Sequence, residues 1–181
     1  ILIVLLCVGE MPLYDSICHA FGAAGTGGFS IKTEGISYYN SAYIDVVLSI
    51  FMLLFGINFN LFYFILIKKA KEAFKSEELR WYIIIVALAT LAIAVNILDQ
   101  YENISVALRY AFFQVSSIMT TTGYGTADFA LWPAFSQSIL VMLMIIGACA
   151  GSTGGGLKVS RVILLFKTFA QEMKHLLHPR A

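Results

Sequence analysis

Two short runs of threonine and glycine carry the chemistry that this sequence offers. One reads Ala24-Gly25-Thr26-Gly27-Gly28-Phe29-Ser30, the other Thr120-Thr121-Thr122-Gly123-Tyr124-Gly125-Thr126. A cation leaving water needs a ring of oxygen ligands in place of its hydration shell. Backbone carbonyls supply them if successive carbonyls of an extended strand turn to one side, and glycine reaches the conformations this requires. Threonine hydroxyls can add further oxygens. The candidate cation ligands are Gly25, Thr26, Gly27, Gly28, Thr121, Thr122, Gly123 and Tyr124, through carbonyl or hydroxyl. A half-helix ending at each strand would aim its negative dipole end at the ion.

A second Gly-rich stretch follows, Gly147-Ala148-Cys149-Ala150-Gly151-Ser152-Thr153-Gly154-Gly155-Gly156-Leu157-Lys158. Each interior glycine costs a helix roughly 1 kcal/mol relative to alanine, so a straight helix here is disfavoured. A phosphate-binding loop needs Gly-Lys followed by Ser or Thr; here Leu157 precedes Lys158 and Val159 follows. The stretch reads instead as a helix break below the Thr-Gly strands, able to block a path or move aside. The candidate gate residues are Gly147, Ala148, Gly151, Ser152, Thr153, Gly154, Gly155, Gly156 and Lys158. Asn58 and Asn60 occupy the matching place upstream. Polar groups in mid-span are expensive unless paired, so they bond the break, line a cavity below it, or simply tie helices together.

The elements that must position these residues are apolar. Of 181 residues, 59% are hydrophobic and 13% charged, and mean hydropathy is +0.81. Soluble domains carry about 25% charged residues, so the main solvent is lipid. The chain opens inside an apolar run, Ile1 to Val8, too short for the roughly 20 residues a span needs, which reads as the tail of a helix in a fragment. Spans are expected over 42–67, 81–98 and 132–157, the middle one nearest the lower length limit. The stretches 12–30 and 105–126 are too interrupted to span and read as re-entrant pore loops, since bare backbone at membrane depth must be buried in protein or line water.

Ten of the twelve basic residues, Lys68, Lys69, Lys71, Lys75, Arg80, Lys158, Arg161, Lys167, Lys174 and Arg180, fall on one side of this topology. By the positive-inside rule that side is cytoplasmic. Seven acids (Glu10, Asp15, Glu34, Asp45, Asp99, Glu102 and Asp128) fall toward the other face, where they could draw cations to an outer mouth. Net charge is +1, which gives no field for nucleic acid. Cys7, Cys18 and Cys149, and His19, His175 and His178, are scattered without metal-ligand spacing. Arg109 is expected to anchor its pore helix or loop.

The two pore loops align without a gap at an offset of 96, Tyr14 on Tyr110 and Thr26-Gly27 on Thr122-Gly123. One unit thus recurs: helix, half-helix, Thr-Gly strand, helix. Residues 1–67 hold the latter part of one repeat, with its pore loop at 12–30 and spanning helix at 42–67. Residues 68–80 form a cytoplasmic linker. Residues 81–181 hold a complete repeat: spanning helix 81–98, pore loop 105–126, broken helix 132–177. The fold class is all-α integral membrane, built from repeated helix–pore loop–helix units.

The run Thr122-Gly123-Tyr124-Gly125 resembles a potassium-channel filter. With Ala24 to Ser30, Thr120 to Tyr124 and above all Gly147 to Lys158, the whole chain resembles the Trk/Ktr/HKT superfamily of potassium transporters, most closely its TrkH-type pore-forming subunits. The resemblance implies four repeats around one pore, of which this chain holds most of the second and all of the third. It implies one central filter glycine per repeat, here Gly27 and Gly123, and an intramembrane gating loop at about 148–158. It also implies potassium uptake across the cell inner membrane, a homodimer in the full-length form, and a cytosolic nucleotide-binding regulatory subunit. Potassium would be the transported substrate; no cofactor is expected, and the chain is not expected to be an enzyme. The alternatives are a fragment of a tetrameric-type potassium channel and a sodium-permeable member of the same superfamily.

Overall fold

The computed structural model describes residues 1–69, 71, 75–101 and 103–177. Glu102, His178 and Arg180, and part of the 68–80 linker, lie outside the described residues, so their places in the charge reading have no structural counterpart.

Helix α1 (Leu2–Val8) ends at Gly9, and α2 (Leu13–Ala24) runs from Pro12 to Gly25. Helix α3 (Ala42–Phe55) is capped by Ser41, whose hydroxyl accepts the Ile44 N–H. Helix α4 (Phe59–Leu66) is capped by Asn58, whose Oδ1 accepts the Asn60 N–H at 2.9 Å. Helix α5 (Glu77–Asn96) is capped by Ser76 and carries Glu77 and Glu78 in its first turn, where the helix dipole favours acids. Helix α6 (Ile104–Met119) follows Asn103, α7 (Ala134–Ile145) follows Pro133, and α8 (Val159–Leu177) closes the order. Short 3-10 turns occupy Gly35–Tyr39, Leu98–Gln100 and Phe129–Leu131. Among the described residues there is no strand, only a bridge between Ile146 and Leu157.

The spans differ from the sequence reading in an instructive way. The expected single span over 42–67 is divided: α3 and α4 meet at 93° across Gly56-Ile57-Asn58. Gly56 is wedged there, since a Cβ would lie 2.5 Å from the Tyr82 hydroxyl and 2.9 Å from Thr120 Cγ2. The apolar stretch 132–157 contributes only the 12-residue α7 before its break. The segment expected to be marginal in length is the uninterrupted one, because α5 begins at Glu77, before Trp81, and reaches 20 residues. Among the described residues it alone is long and apolar enough to cross a membrane, or it is one of two if the bent pair counts as a broken span.

Each repeat builds its own apolar core. Leu6, Ile44, Leu48 and Met52 centre the first; Tyr82, Ile93, Val115, Met119 and Leu140 centre the second. Phe113 and Tyr124 of the second repeat are buried in the first core, which locks the two together. Across the same seam Arg109 Nε on α6 lies 3.5 Å from Asp45 Oδ2 on α3, and its guanidinium stacks over Tyr110. Arg109 thus ties α6 to α3. Leu88, Leu91 and Val95 form an exposed apolar strip along α5. Such a strip suits lipid or protein contact better than water, in keeping with an all-α membrane fold.

Candidate functional site

Helices α2 and α6 end in the same way, 95 residues apart. The N–H groups of Gly25 and Thr120 bond the carbonyls of Phe21 and Ser116; those of Thr26 and Thr121 bond Ala23 and Ile118; those of Gly27 and Thr122 bond Gly22 and Ser117. The dihedral angles repeat with the same offset. Thr26 and Thr121 are left-handed (φ 49° and 57°), as are Gly28 and Gly123 (φ 67° and 90°). The register of 96 is therefore corrected by one residue. Gly28, not Gly27, is the counterpart of Gly123; Gly27 takes the place of Thr122, and Phe29 that of Tyr124. The sequence alignment followed the shared Thr-Gly pair, whereas the hydrogen bonds follow the helix ends.

The strands lie side by side. A Cβ on Gly28 would run into the Thr122 carbonyl oxygen, so this glycine is required by both its dihedral and its neighbour. Around Gly123 nothing lies within 4 Å of a Cβ position; its face is open, and only its positive φ demands glycine. The hydroxyls of Thr26, Thr120, Thr121 and Thr122 are engaged within the protein, whereas the buried Thr126 Oγ1 has no hydrogen-bond partner among the described residues. Thr122 is buried, and its Oγ1 lies 2.7 Å from that of Thr120. Thr26 Oγ1 reaches the carbonyls of Gly25 and Thr153, and Thr121 Oγ1 accepts the Gly155 N–H at 2.7 Å. The carbonyls of Tyr124 and Gly25 also accept within the protein, from Ser117 Oγ at 2.6 Å and from Thr26 Oγ1 at 2.8 Å.

Two side chains brace the strands, Tyr124 from within the second motif and His19 from outside both. Tyr124 is buried, and its hydroxyl lies 3.3 Å from the carbonyls of both His19 and Phe29, reaching from the second repeat into the first. Gly22 leaves room for that hydroxyl. His19, fully buried, places Nδ1 2.8 Å from the Asp15 carbonyl and Nε2 3.1 Å from Ser30 Oγ. A carbonyl only accepts, so Nδ1 donates to Asp15. The sequence reading counted His19 as scattered. Its signal was positional, since the 95-residue register sets it on Gln114, a second buried polar group, in α6. Nearer the connection after the first strand, Tyr39 donates to Asp15 Oδ2 at 2.6 Å. Burial first, then this bond, raises the Tyr39 phenol well above its usual range, so it remains a donor.

The Gly-rich stretch forms a pinched loop between α7 and α8. At its neck the Gly147 N–H bonds the Leu157 carbonyl (2.8 Å) and the Leu157 N–H bonds the Ile145 carbonyl (3.0 Å). A Cβ at Gly147 would collide with the Gly155 carbonyl. The loop packs beneath both strands. Gly154 fits under the Thr120 carbonyl, Gly155 beside Thr121, and the Thr153 carbonyl accepts from Thr26. Lys158 Nζ donates to the Gly154 carbonyl, and Ser152 Oγ to that of Cys149. Toward the first repeat, the Cys149 N–H bonds the Gly56 carbonyl and the Phe59 N–H bonds the Gly151 carbonyl. Asn58 faces Gly151, while Asn60 is exposed on the first turn of α4. On the side of α5, Glu78 Oε1 accepts the N–H groups of Ala150 and Ser160. Glu78 was not among the residues read from the sequence; its only signal is a pair of acids at the basic end of a span. Among the described residues no cluster of His, Cys, Asp and Glu could hold a metal.

Residues 3–181 match the family model TrkH, described as a cation transport protein. The chain is 38% identical over 176 residues to the Trk system potassium uptake protein TrkH of Salmonella typhimurium, covering 94% of this chain and 36% of that protein. It is 35% identical over 179 residues to TrkG of Escherichia coli, with the same coverage. The crystal structure of the potassium transporter TrkH from Vibrio parahaemolyticus superposes with a TM-score of 0.93 at 36% identity, over 99% of this chain and 39% of that one. The chain therefore spans little more than a third of the length of these relatives. With matching sequence, helix order and strand geometry together, it belongs to the TrkH family of cation transport proteins.

Proposed function

We propose that this chain forms part of the pore of a potassium uptake transporter, with its two Thr-Gly strands contributing two walls of a selectivity filter. The observation that carries the reading is the pair of strands in matching conformation, each at the C-terminal end of a pore helix and side by side above the Gly-rich loop. Carbonyls of Gly25, Thr26, Gly27, Gly28, Thr121, Thr122, Gly123 and Tyr124 replace water around the ion, and the negative ends of α2 and α6 favour its charge. Permeation breaks no covalent bond, and no enzymatic step is assigned.

The loop, with Gly147, Ala148, Gly151 to Gly156 and Lys158, acts as the gate: it lies under the strands and is held by a few hydrogen bonds that a small movement can break. Asn58 lines its lower edge. The relatives carrying the names of potassium uptake proteins support potassium as the cargo. The repeats are 1–67 and 81–181, joined by the basic 68–80 segment on the cytoplasmic face. The whole protein sits in the cell membrane as a multi-pass homodimer, with a cytosolic nucleotide-binding regulatory subunit and no nucleic-acid partner.

The test is growth of a bacterial strain lacking its own potassium uptake, at limiting potassium, complemented by the full-length protein. Rescue is expected, and Gly123→Ser is expected to abolish it with the protein still in the membrane. Unchanged potassium selectivity in that variant would sink the filter assignment; sodium uptake by the parent would reassign the ion.

A further inference from the structure

Glu78 lies outside both strands and outside the Gly-rich loop, yet it holds the loop from behind. A single carboxylate oxygen, Oε1, accepts the Ala150 N–H at 2.7 Å and the Ser160 N–H at 3.2 Å. Ala150 belongs to the loop. Ser160 lies in the first turn of α8, where N–H groups lack intrahelical partners and a negative charge is favoured. The adjacent Glu77 grips the same helix further along, with Oε2 2.6 Å from Lys167 Nζ. Both glutamates stand in the first turn of α5, the one unbroken apolar span. The loop's bonds to the strands above, from Thr26 and Thr121, are between neutral groups. Bonds to an ionised carboxylate are roughly twice as strong as neutral ones.

We propose that Glu78 is a positioning residue that latches the loop closed and couples it to α8. Because one oxygen serves both donors, a displacement of α8 that draws Ser160 away also pulls Oε1 from Ala150. The loop then loses its attachment to α5 while the filter strands stay in place. Motion of the basic, cytosol-facing helix α8 is thereby converted into release of the loop. The inference rests on reading the loop as a gate, but its geometry can be tested without transport.

The experiment uses the full-length protein in lipid nanodiscs and in vesicles, as parent, Glu78→Ala and Glu78→Gln. Amide hydrogen exchange over 147–161 is expected to speed up about tenfold in Glu78→Ala, and far less in Glu78→Gln, which keeps an acceptor oxygen. Rubidium flux into vesicles is expected to rise in Glu78→Ala and to return toward the parent level in Glu78→Gln. Unchanged exchange in Glu78→Ala overturns the latch. Faster exchange with unchanged flux, in a parent that carries rubidium, overturns its role in gating. Faster exchange in a protein that carries no rubidium supports the latch geometry and removes the transport reading instead. Should Glu78→Ala fail to accumulate, Glu78→Met, close to glutamate in size but without an acceptor oxygen, takes its place: exchange at Ala150 and Ser160 rises if the carboxylate holds them and stays at the parent value if it does not.

Discussion

The two repeats interrupt their second helices in unlike ways. In the first, three residues, Gly56-Ile57-Asn58, turn the chain by 93° and Asn58 at once caps the next helix. In the second, residues 146–158 form a pinched loop with five glycines before α8 begins. The short break is rigid by construction, with Gly56 wedged between Tyr82 and Thr120. The long one is held by separate bonds to α5, to the strands and to the first break. The same architectural position is thus a tight corner in one repeat and a longer loop held by scattered hydrogen bonds in the other. The difference lies in how many backbone groups must find partners outside a helix.

Five substitutions sharpen or break this contrast. Gly28→Ala should have the largest effect, because it meets the Thr122 carbonyl and a positive φ at once. Potassium uptake by the full-length protein should be lost. Gly27→Ala, with its nearest contact at 3.5 Å, should transport nearly as the parent does; the reverse ranking would restore the register of 96. Next is Gly147→Ala at the neck, where overpacking costs about 1–3 kcal/mol. It should loosen the loop and raise basal ion leak, and normal leak at normal abundance would mean the neck yields. Gly56→Ala, with contacts of 2.5 and 2.9 Å to a rigid corner, should cost a similar or slightly smaller amount, but as a lower unfolding temperature without leak. Leak from this variant as well would erase the distinction between the breaks. Smallest is Asn58→Ala, expected to cost about 1 kcal/mol through loss of the α4 cap, read as a modest drop in thermal midpoint.

Much of the fold was legible. Apolar stretches and charge placement point to lipid, and the Thr-Gly runs mark where helices must stop, because glycine and left-handed threonine end them locally. Helices α2 and α6 accordingly end at Ala24 and Met119. The repeat was legible too, but its register was not. Identity matching fastened on Thr26-Gly27, whereas the bonds closing the helix ends fix Gly28 opposite Gly123. The 93° corner was equally hidden, since residues 42–67 are mostly apolar on both sides of Gly56-Ile57-Asn58 and composition does not encode direction.

Sequence alone determined which residues prefer lipid, where the glycines break helices, and which carbonyl-rich strands could meet a cation, because these follow from local backbone freedom and side-chain transfer to apolar surroundings. Tertiary structure alone decided that Thr122 turns its hydroxyl inward, that Tyr124 braces the neighbouring repeat through His19 and Phe29, and that Glu78 stands behind the loop 72 residues away. Those partners are set by packing between helices distant in sequence, where the cost of leaving a buried donor or acceptor unpaired selects one arrangement from many.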